Sequence, residues 1–375
     1  MKNALTATLL ILVGAAASFA HHSIAAEFDE KKPVSIKGAV VRYEWMDPHV
    51  LVHVDPFDGS AGWTVELESP LDIKPAGWTK DTLKVGDSVT VDAIQARDGS
   101  RLAFAKSFTL PGGKKLSAPL STAIVAAPKV DHSKPAPKTP DGHPRFGPEP
   151  GQKGYWAYPS QVSLVDKNAG TIRMNRDGLL ANINDAPKVA PFQPWAQGLY
   201  IYRQQQLLRD DPMVSCLPPG GPRQMMVPYG VQVIDDPARQ RVFFMSAGAN
   251  RNWRLVYLDG RKNPPVDDIT PMYWGNASGK WEGDTLVSET DGFNDRFWFS
   301  NGGLPHTEFL KLTERFSRPD YNTLRYEVTV DDPGAYTKPW TSALTLQWVA
   351  GVEPEEYFCE DQNRDPQHLT TEIKK

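Results

Sequence analysis

Between residues 230 and 349 the chain carries runs rich in β-branched and aromatic residues at 230–234, 241–245, 253–258, 285–289, 309–316, 323–330 and 344–349. The gaps at 235–240, 246–252 and 317–322 are too short for a helical crossover, which takes a dozen or more residues, so the sheet is expected to be mainly antiparallel. A long antiparallel array leaves an adhesive edge unless it closes on itself or packs as two sheets. The expected architecture is a closed or half-closed, lipocalin-like barrel, with a sandwich as the alternative. Asp-Asp-Pro at 210–212, 235–237 and 331–333 reads as turns, because Asp bonds its own backbone locally and Pro fixes φ. Its spacing is irregular, so it marks no repeat. One helix is expected over 194–209, with Pro194 in the first turn and Trp195, Leu199, Tyr202 and Leu207 sharing a face.

A smaller β unit precedes this one. Runs at 34–43, 50–55, 63–68, 88–95 and 103–110 are separated by turn pairs such as Asp58-Gly59, Gly86-Asp87 and Asp98-Gly99. The longest gap, between the third and fourth runs, has room for a short helix near 71–76. Five strands with a helical insert after the third is the order of an OB-type barrel. Between the two units, Pro, Gly, Lys and Ala dominate, as in Lys134-Pro135-Ala136-Pro137-Lys138, a composition that favours extended chain and buries little. The chain is therefore read as all-β with minor helix: a signal peptide at 1–20, an OB-like five-stranded domain at 21–113, a Pro-rich linker at 114–151, a larger antiparallel barrel at 152–365 and a tail at 366–375.

The first residues read as a secretory signal: Lys2, the apolar run Leu9-Leu10-Ile11-Leu12-Val13, and small residues Ser18 and Ala20 ahead of the cut. That apolar run is too short to span a bilayer, and no second run is long enough. Periplasmic or secreted localisation is expected. Lys and Arg number 41 against 45 Asp and Glu, a net charge of −4, so nothing in the charge favours nucleic acid or a polybasic membrane anchor. The two cysteines, Cys216 and Cys359, read as one disulfide in an oxidising compartment.

Residues 21–113 resemble an uncharacterised family of secreted bacterial domains. The resemblance rests on His21-His22-Ser23, Phe28-Asp29, Trp45-Met46-Asp47-Pro48-His49, Gly77-Trp78, Gly86-Asp87 and Arg97-Asp98-Gly99-Ser100. Residues 195–363 resemble the C-terminal region of a second uncharacterised exported family. Here the matching segments include Cys216-Leu217-Pro218-Pro219-Gly220, Asp259-Gly260-Arg261, Trp281-Glu282-Gly283-Asp284-Thr285-Leu286, Gly292-Phe293-Asn294-Asp295, Pro305-His306 and Glu314-Arg315-Phe316. The resemblance implies export and the two-part layout, and it carries no activity with it.

The sharpest chemistry is in the histidines. Cleavage after Ala20 makes His21 the first residue, whose α-amine and Nδ1 close a chelate ring on copper or zinc. Cleavage after Ala17, which the small-residue rule also allows, destroys that chelate. His49 and His53 alternate onto one face of the 50–55 strand, about 13 Å apart at roughly 3.3 Å per residue. One ion cannot easily take both. The expected metal set is His21 with His49 or His53, His22 as a spare ligand, and Asp47 or Asp55 orienting a ring. The alternative is a terminus and strand face that are simply solvated.

In the second domain, His306 is the only histidine, with Glu308 expected beside it on a strand face and Arg261, Glu314 and Arg315 completing a polar cluster suited to proton transfer. Glu282 and Asp284 flank Gly283 in what is most simply a tight turn, and otherwise a pair of carboxylates at a barrel mouth. The many aromatics, Trp281 and Trp298 among them, are core by default and otherwise line a pocket for a flat ligand. Phosphate loops, serine elbows, zinc-protease motifs and haem attachment sites are absent from the sequence, so nucleotide and haem are not expected. These readings leave three functions open. The first is a small, partly apolar ligand bound in the second barrel, with copper or zinc at the N-terminus. The others are a lyase, isomerase or hydrolase using His306, and a structural or partner-binding envelope protein.

Overall fold

The computed structural model describes residues 24–118, 130–157, 159–226, 230–246, 252–354, 357–360, 363 and 369. A single turn, α1 (Ile24–Glu27), leads into β1 (Phe28–Glu44). Then come β2 (Val50–Pro56), β3 (Trp63–Leu67), α2 (Pro70–Ile73), β4 (Ser88–Ala96), β5 (Leu102–Thr109) and β6 (Lys115–Ser117). β1 pairs antiparallel with β2 and β4, β2 with β3, and β4 with β5. A parallel β3–β5 pairing closes the five strands, which is the OB order read from the sequence. The helical insert lies where the gap predicted it. Ser69 starts α2 by accepting from the Asp72 amide, and Pro70 fills a first-turn position that needs no N–H.

The long β1 serves both neighbours by bending at a bulge between Val40 and Arg42. At Gly38 the strands pass so closely that a Cβ would sit 2.2 Å from the Asp55 carbonyl oxygen. Alternation does the rest: Val50, Val52, Val54 and Val65 turn inward around Trp78 and Phe108.

The stretch read as a linker is more than a spacer. Its first residues form β6 against β5. Further on, Lys134 lies over the Tyr321 ring, Arg318 donates to the Arg145 carbonyl at 2.6 Å, and Phe146 is fully buried against Trp281. A phenylalanine in a polar stretch supplies the burial that the surrounding composition lacks.

The second domain begins with β7 (Gly154–Ala157), α3 (Ala186–Val189) and α4 (Pro194–Gln205). Its remaining strands are β8 (Val231–Asp236), β9 (Arg241–Ser246), β10 (Trp253–Tyr257), β11 (Asn276–Glu282), β12 (Thr285–Asp291), β13 (Lys311–Asp320), β14 (Thr323–Asp331) and β15 (Trp340–Ala350). They close in the order β10-β11-β12-β13-β14-β15-β7-β8-β9. Every pairing is antiparallel except β10 with β11. The antiparallel barrel expected from the run spacing is therefore the fold. β7 and β11 were not among the expected runs. β11 reads Asn-Ala-Ser-Gly-Lys-Trp-Glu, poor in β-branched residues, and becomes a strand through its register with β12 rather than by propensity.

The barrel interior is filled by Trp156, Phe244, Leu286, Phe316, Leu346 and their neighbours. One end is covered by α4, whose buried line is Ala196, Tyr200 and Gln204 rather than the expected aromatic face. Trp195 and Tyr202 remain about half exposed, at 47% and 46%. The reason lies in the cover: Tyr200 stacks on Phe192 at 5.3 Å, and the Gln204 amide donates to the Gly178 and Gly302 carbonyls. Leu207 and Leu208 adopt positive φ, ending the helix at Gln205 instead of 209. Among the described residues no helix is long and apolar enough to cross a membrane.

The expected disulfide is present. Cys216 and Cys359, 143 residues apart with Cα atoms 5.7 Å from each other, tie the turn after α4 to the chain beyond β15. In the chain-entropy picture a loop this long contributes about 5 kcal/mol. Cys216→Ser together with Cys359→Ser is expected to lower unfolding free energy by roughly 2–5 kcal/mol in urea denaturation. An unchanged midpoint would show that the covered barrel end holds without the bridge.

Candidate functional site

Because Val50, Val52 and Val54 face the N-terminal core, Leu51 and His53 face outward. Strand register sets Glu44, Leu51 and Glu66 in one row and Arg42, His53 and Thr64 in the next. His53 Nε2 lies 2.7 Å from Glu44 Oε1, and its Nδ1 lies 3.2 Å from Thr64 Oγ1. Arg42 donates to the other Glu44 oxygen at 2.8 Å. His49, just before β2, places Nδ1 3.3 Å from both Glu66 Oε1 and the Leu67 carbonyl oxygen. The two histidines thus meet different carboxylates, as their spacing implied. Asp55 is exposed on the same strand.

The chain start crosses this same outer face. Ile24 and Phe28 pack with Ile94, Leu102 and Phe104, and Phe104 is the register neighbour of Glu66. Arg97, from the Arg-Asp-Gly-Ser turn, fixes the path: its amide donates to the Glu27 carbonyl and its Nε to the Ala25 carbonyl, each at 2.7 Å. On the far side, Ala26 packs against Val214, Leu207 and Leu369 of the second domain. Arg176, at the tip of a hairpin over 174–180, forms an ion pair with Glu68. Burial alone would lower the Arg176 pKa, but Glu68, Asp177 and Asp72 outweigh it and hold the guanidinium above its ordinary value.

Glu27, Glu44, Glu66, Glu68 and His49 are all buried, with His49 beside Glu66 and Glu68 joined to the second domain through Arg176. His21 and His22 lie outside the described residues. Among the described residues alone, no three His, Cys, Asp or Glu side chains converge to hold a metal.

The residues singled out in the second domain are dispersed. Glu314 is fully buried at the barrel centre, where both its oxygens take Arg254 Nη1, at 2.7 and 2.9 Å, and Tyr326 donates at 2.7 Å. Arg315, next in sequence, faces outward and pairs with Glu282 at 3.0 Å. A Glu314–Arg315 ion pair is excluded by strand alternation. Hydrogen bonds from Lys280 and Arg315 hold the Glu282 carboxyl below its ordinary value. Asp284 is exposed at the hairpin tip beside Gly283, whose φ is +61°, and meets Lys138 at 2.7 Å. Trp281 stacks on His143 and Phe146, forming wall. Arg261 is exposed and clamps Asp259 at 2.5 Å. Trp298 is buried under Arg203, whose pKa burial pushes down to about 10.

His306 lies in a loop rather than on a strand, because Gly302, Gly303 and Pro305 break the alternation before β13. Its Nε2 lies 2.9 Å from the Phe297 carbonyl oxygen and its ring packs on Phe297 at 4.4 Å. Glu308 is exposed and shares no hydrogen bond with it; the carboxylate that organises this loop is Asp332, which takes the Thr307 amide and hydroxyl at 2.6 Å each. Burial lowers the His306 pKa. The sequence reading missed Arg254, although the alternation of Trp253-Arg254-Leu255-Val256 sets it on the core face with Val256.

Two outcomes follow for these buried groups. Glu314→Gln strands a buried guanidinium and is expected to cost about 3–5 kcal/mol, most of it recovered by Arg254→Met with Glu314→Leu. Urea denaturation of both variants checks this. For His306, a folded pKa below the ordinary 6.5 means that the unfolded chain binds the extra proton. The stability this group contributes is complete above pH 6.5 and declines as pH falls from there toward the folded value. Between about pH 7.5 and pH 5, thermal unfolding should shift less in His306→Gln, which keeps a donor, than in the wild type. Parallel shifts would place the acid sensitivity elsewhere.

No curated protein and no solved structure matches the chain. A family match does cover the N-terminal barrel through most of β5, including the glutamates and histidines of the seam, and ends before the second domain. Residues 9–105 match a family of unknown function, DUF6152.

Proposed function

We propose that this is an exported metal-binding protein, in which one copper or zinc ion is captured by the processed N-terminus at the seam between the domains. The observation that carries this reading is the path of residues 24–29. They are pinned by Arg97 across the sheet face that bears the carboxylates and imidazoles of Glu44, His53, Glu66 and His49, and in sequence they follow directly on His21, His22 and Ser23. A terminal amine and imidazole from His21, joined by a seam imidazole, make a donor set that copper(II) favours, and zinc accepts imidazole with carboxylate oxygen. Glu44 and Glu66 contact His53 and His49 as partners that orient each ring. Buried carboxylates also favour a nearby dication over neutral occupants. The reading concerns capture of the ion, not a reaction at it.

Native mass spectrometry of the exported protein, with Cu(II) or Zn(II) added, tests it. The expected result is a mature mass beginning at His21, one ion per chain, and affinity lowered at least tenfold in His21→Ala and by about 10–100-fold in Glu66→Gln. A mature chain beginning at Ser18, or equal metal uptake by wild type and His21→Ala, would overturn it.

A further inference from the structure

The outer wall of the second barrel carries an open groove of about 350 Å³ across β12, β13, β14 and β15, remote in the chain from the seam residues. Two cross-strand rows build it. Thr285, Ser317, Arg325 and Thr345 form one; Arg315, Glu327 and Ala343 form the next. All face away from the core, because they alternate with buried Leu286, Phe316, Tyr326 and Leu344. Ser317 and Ala343 are small, which opens the depression. Ser160 closes one side, exchanging hydrogen bonds with the Thr345 backbone at 2.8 and 2.9 Å.

The groove's charges are arranged for an anion that also carries hydroxyls. Arg325 forms no ion pair among the described residues, whereas Arg315 is held only by Glu282 in a half-exposed pair. Such a pair is worth little and exchanges readily. The two arginines are diagonal neighbours, their backbones about 7–8 Å apart, so one oxyanion between their side chains accepts a charge-assisted bond from each. Glu327, directly opposite Arg315 in register, sets the specificity. It repels a bare sulfate or phosphate but accepts hydrogen bonds from hydroxyls beside a single carboxylate. The hydroxyls of Thr285, Ser317, Thr345 and Ser160 extend the polar surface. The volume is at the small end of ligand sites, roughly 300–1,000 Å³, which suits one or two sugar rings.

We propose that this groove binds an acidic saccharide, its carboxylate between Arg325 and Arg315 and its ring hydroxyls on Glu327 and the threonine and serine row. The site lies on the outside of the barrel and is independent of the metal reading.

Ligand-observed NMR titrations of the mature protein with glucuronate, glucose and inorganic sulfate test the assignment. Saturable glucuronate binding is expected, with glucose at least about tenfold weaker. Arg325→Gln should weaken glucuronate by about tenfold or more. Glu327→Gln should weaken glucuronate yet tighten sulfate about two- to fivefold, since it removes a repelling charge and a hydroxyl acceptor together. Both positions are on the surface, and unchanged thermal unfolding confirms that the variants fold. No glucuronate binding, binding unaltered in Arg325→Gln, or glucose bound as well as glucuronate would each overturn the proposal. Sulfate preferred by the wild type would overturn the saccharide class in favour of a bare oxyanion site.

Discussion

Nine strands closed into a barrel enclose more space than aliphatic side chains fill, since eight already leave an interior just wide enough for side chains. The second domain meets that constraint with large rings around a buried charged pair, and with Arg318 packed on Trp156 and Trp348. Arg254 reaches Glu314 at the centre, and its guanidinium lies 5.0 Å from the Phe244 ring and 5.6 Å from that of Phe316. Tyr326 and Thr290 supply the remaining donors to Glu314. Removing two ions from water is costly: the Glu314 carboxylate is offset by these donated bonds, whereas Arg254 Nε and Nη2 find no hydrogen-bond partner among the described residues and the guanidinium rests against the two rings. The arrangement also makes the barrel interior a structural core. Of the aromatics read as core or pocket, Trp281 packs against that core and Trp298 is buried under Arg203.

With the interior filled, chemistry is left to boundaries and outer faces. The N-terminal barrel supplies one such boundary. Its sheet turns an apolar face inward and, on the opposite side, carries an apolar cluster of Phe28, Ile94 and Phe104 beside buried glutamates. Residues 24–29 lie over that cluster, and Ala26 extends the packing to Val214 in the other domain. The Arg176–Glu68 pair adds a polar contact across the same junction. Of the carboxylates here, Glu68 is held by a side chain of the other domain, so its environment depends on how the domains are joined.

The fold was legible where strand spacing and alternation carried it. Short gaps dictated antiparallel pairing, and five runs with one helical gap dictated the OB order. β11 was illegible because its residues have little strand propensity and its partner β12 imposes the conformation. The buried face of α4 was misread for a related reason: Tyr200 and Gln204 face inward because Phe192, Gly178 and Gly302 wait for them, and none of these is a helix neighbour. Among the site residues, strand alternation alone separates Glu314 from Arg315 and sets Arg254 toward the core. The place of His306, by contrast, depends on a loop shaped by Gly302, Gly303 and Asp332, which no periodicity describes.

The same alternation that consigns Glu314 to the core delivers Arg315 to the surface. On β13 and β14 each inward residue that fills the barrel obliges its neighbour to face solvent, so packing demands on one face leave the other free to vary. Arg315, Ser317, Arg325, Glu327 and Thr345 are not required by the core, and their combination of two cations, one carboxylate and hydroxyls is unlike the outer face of β9 and β10, where Phe243 and Trp253 lie 5.9 Å apart. Two walls of one barrel thus present different chemistries on a common scaffold. The polar row with its defined register thus rests on strands whose spacing the core fixes, while its exposed side chains, Arg315 on Glu282 among them, take their positions from surface partners.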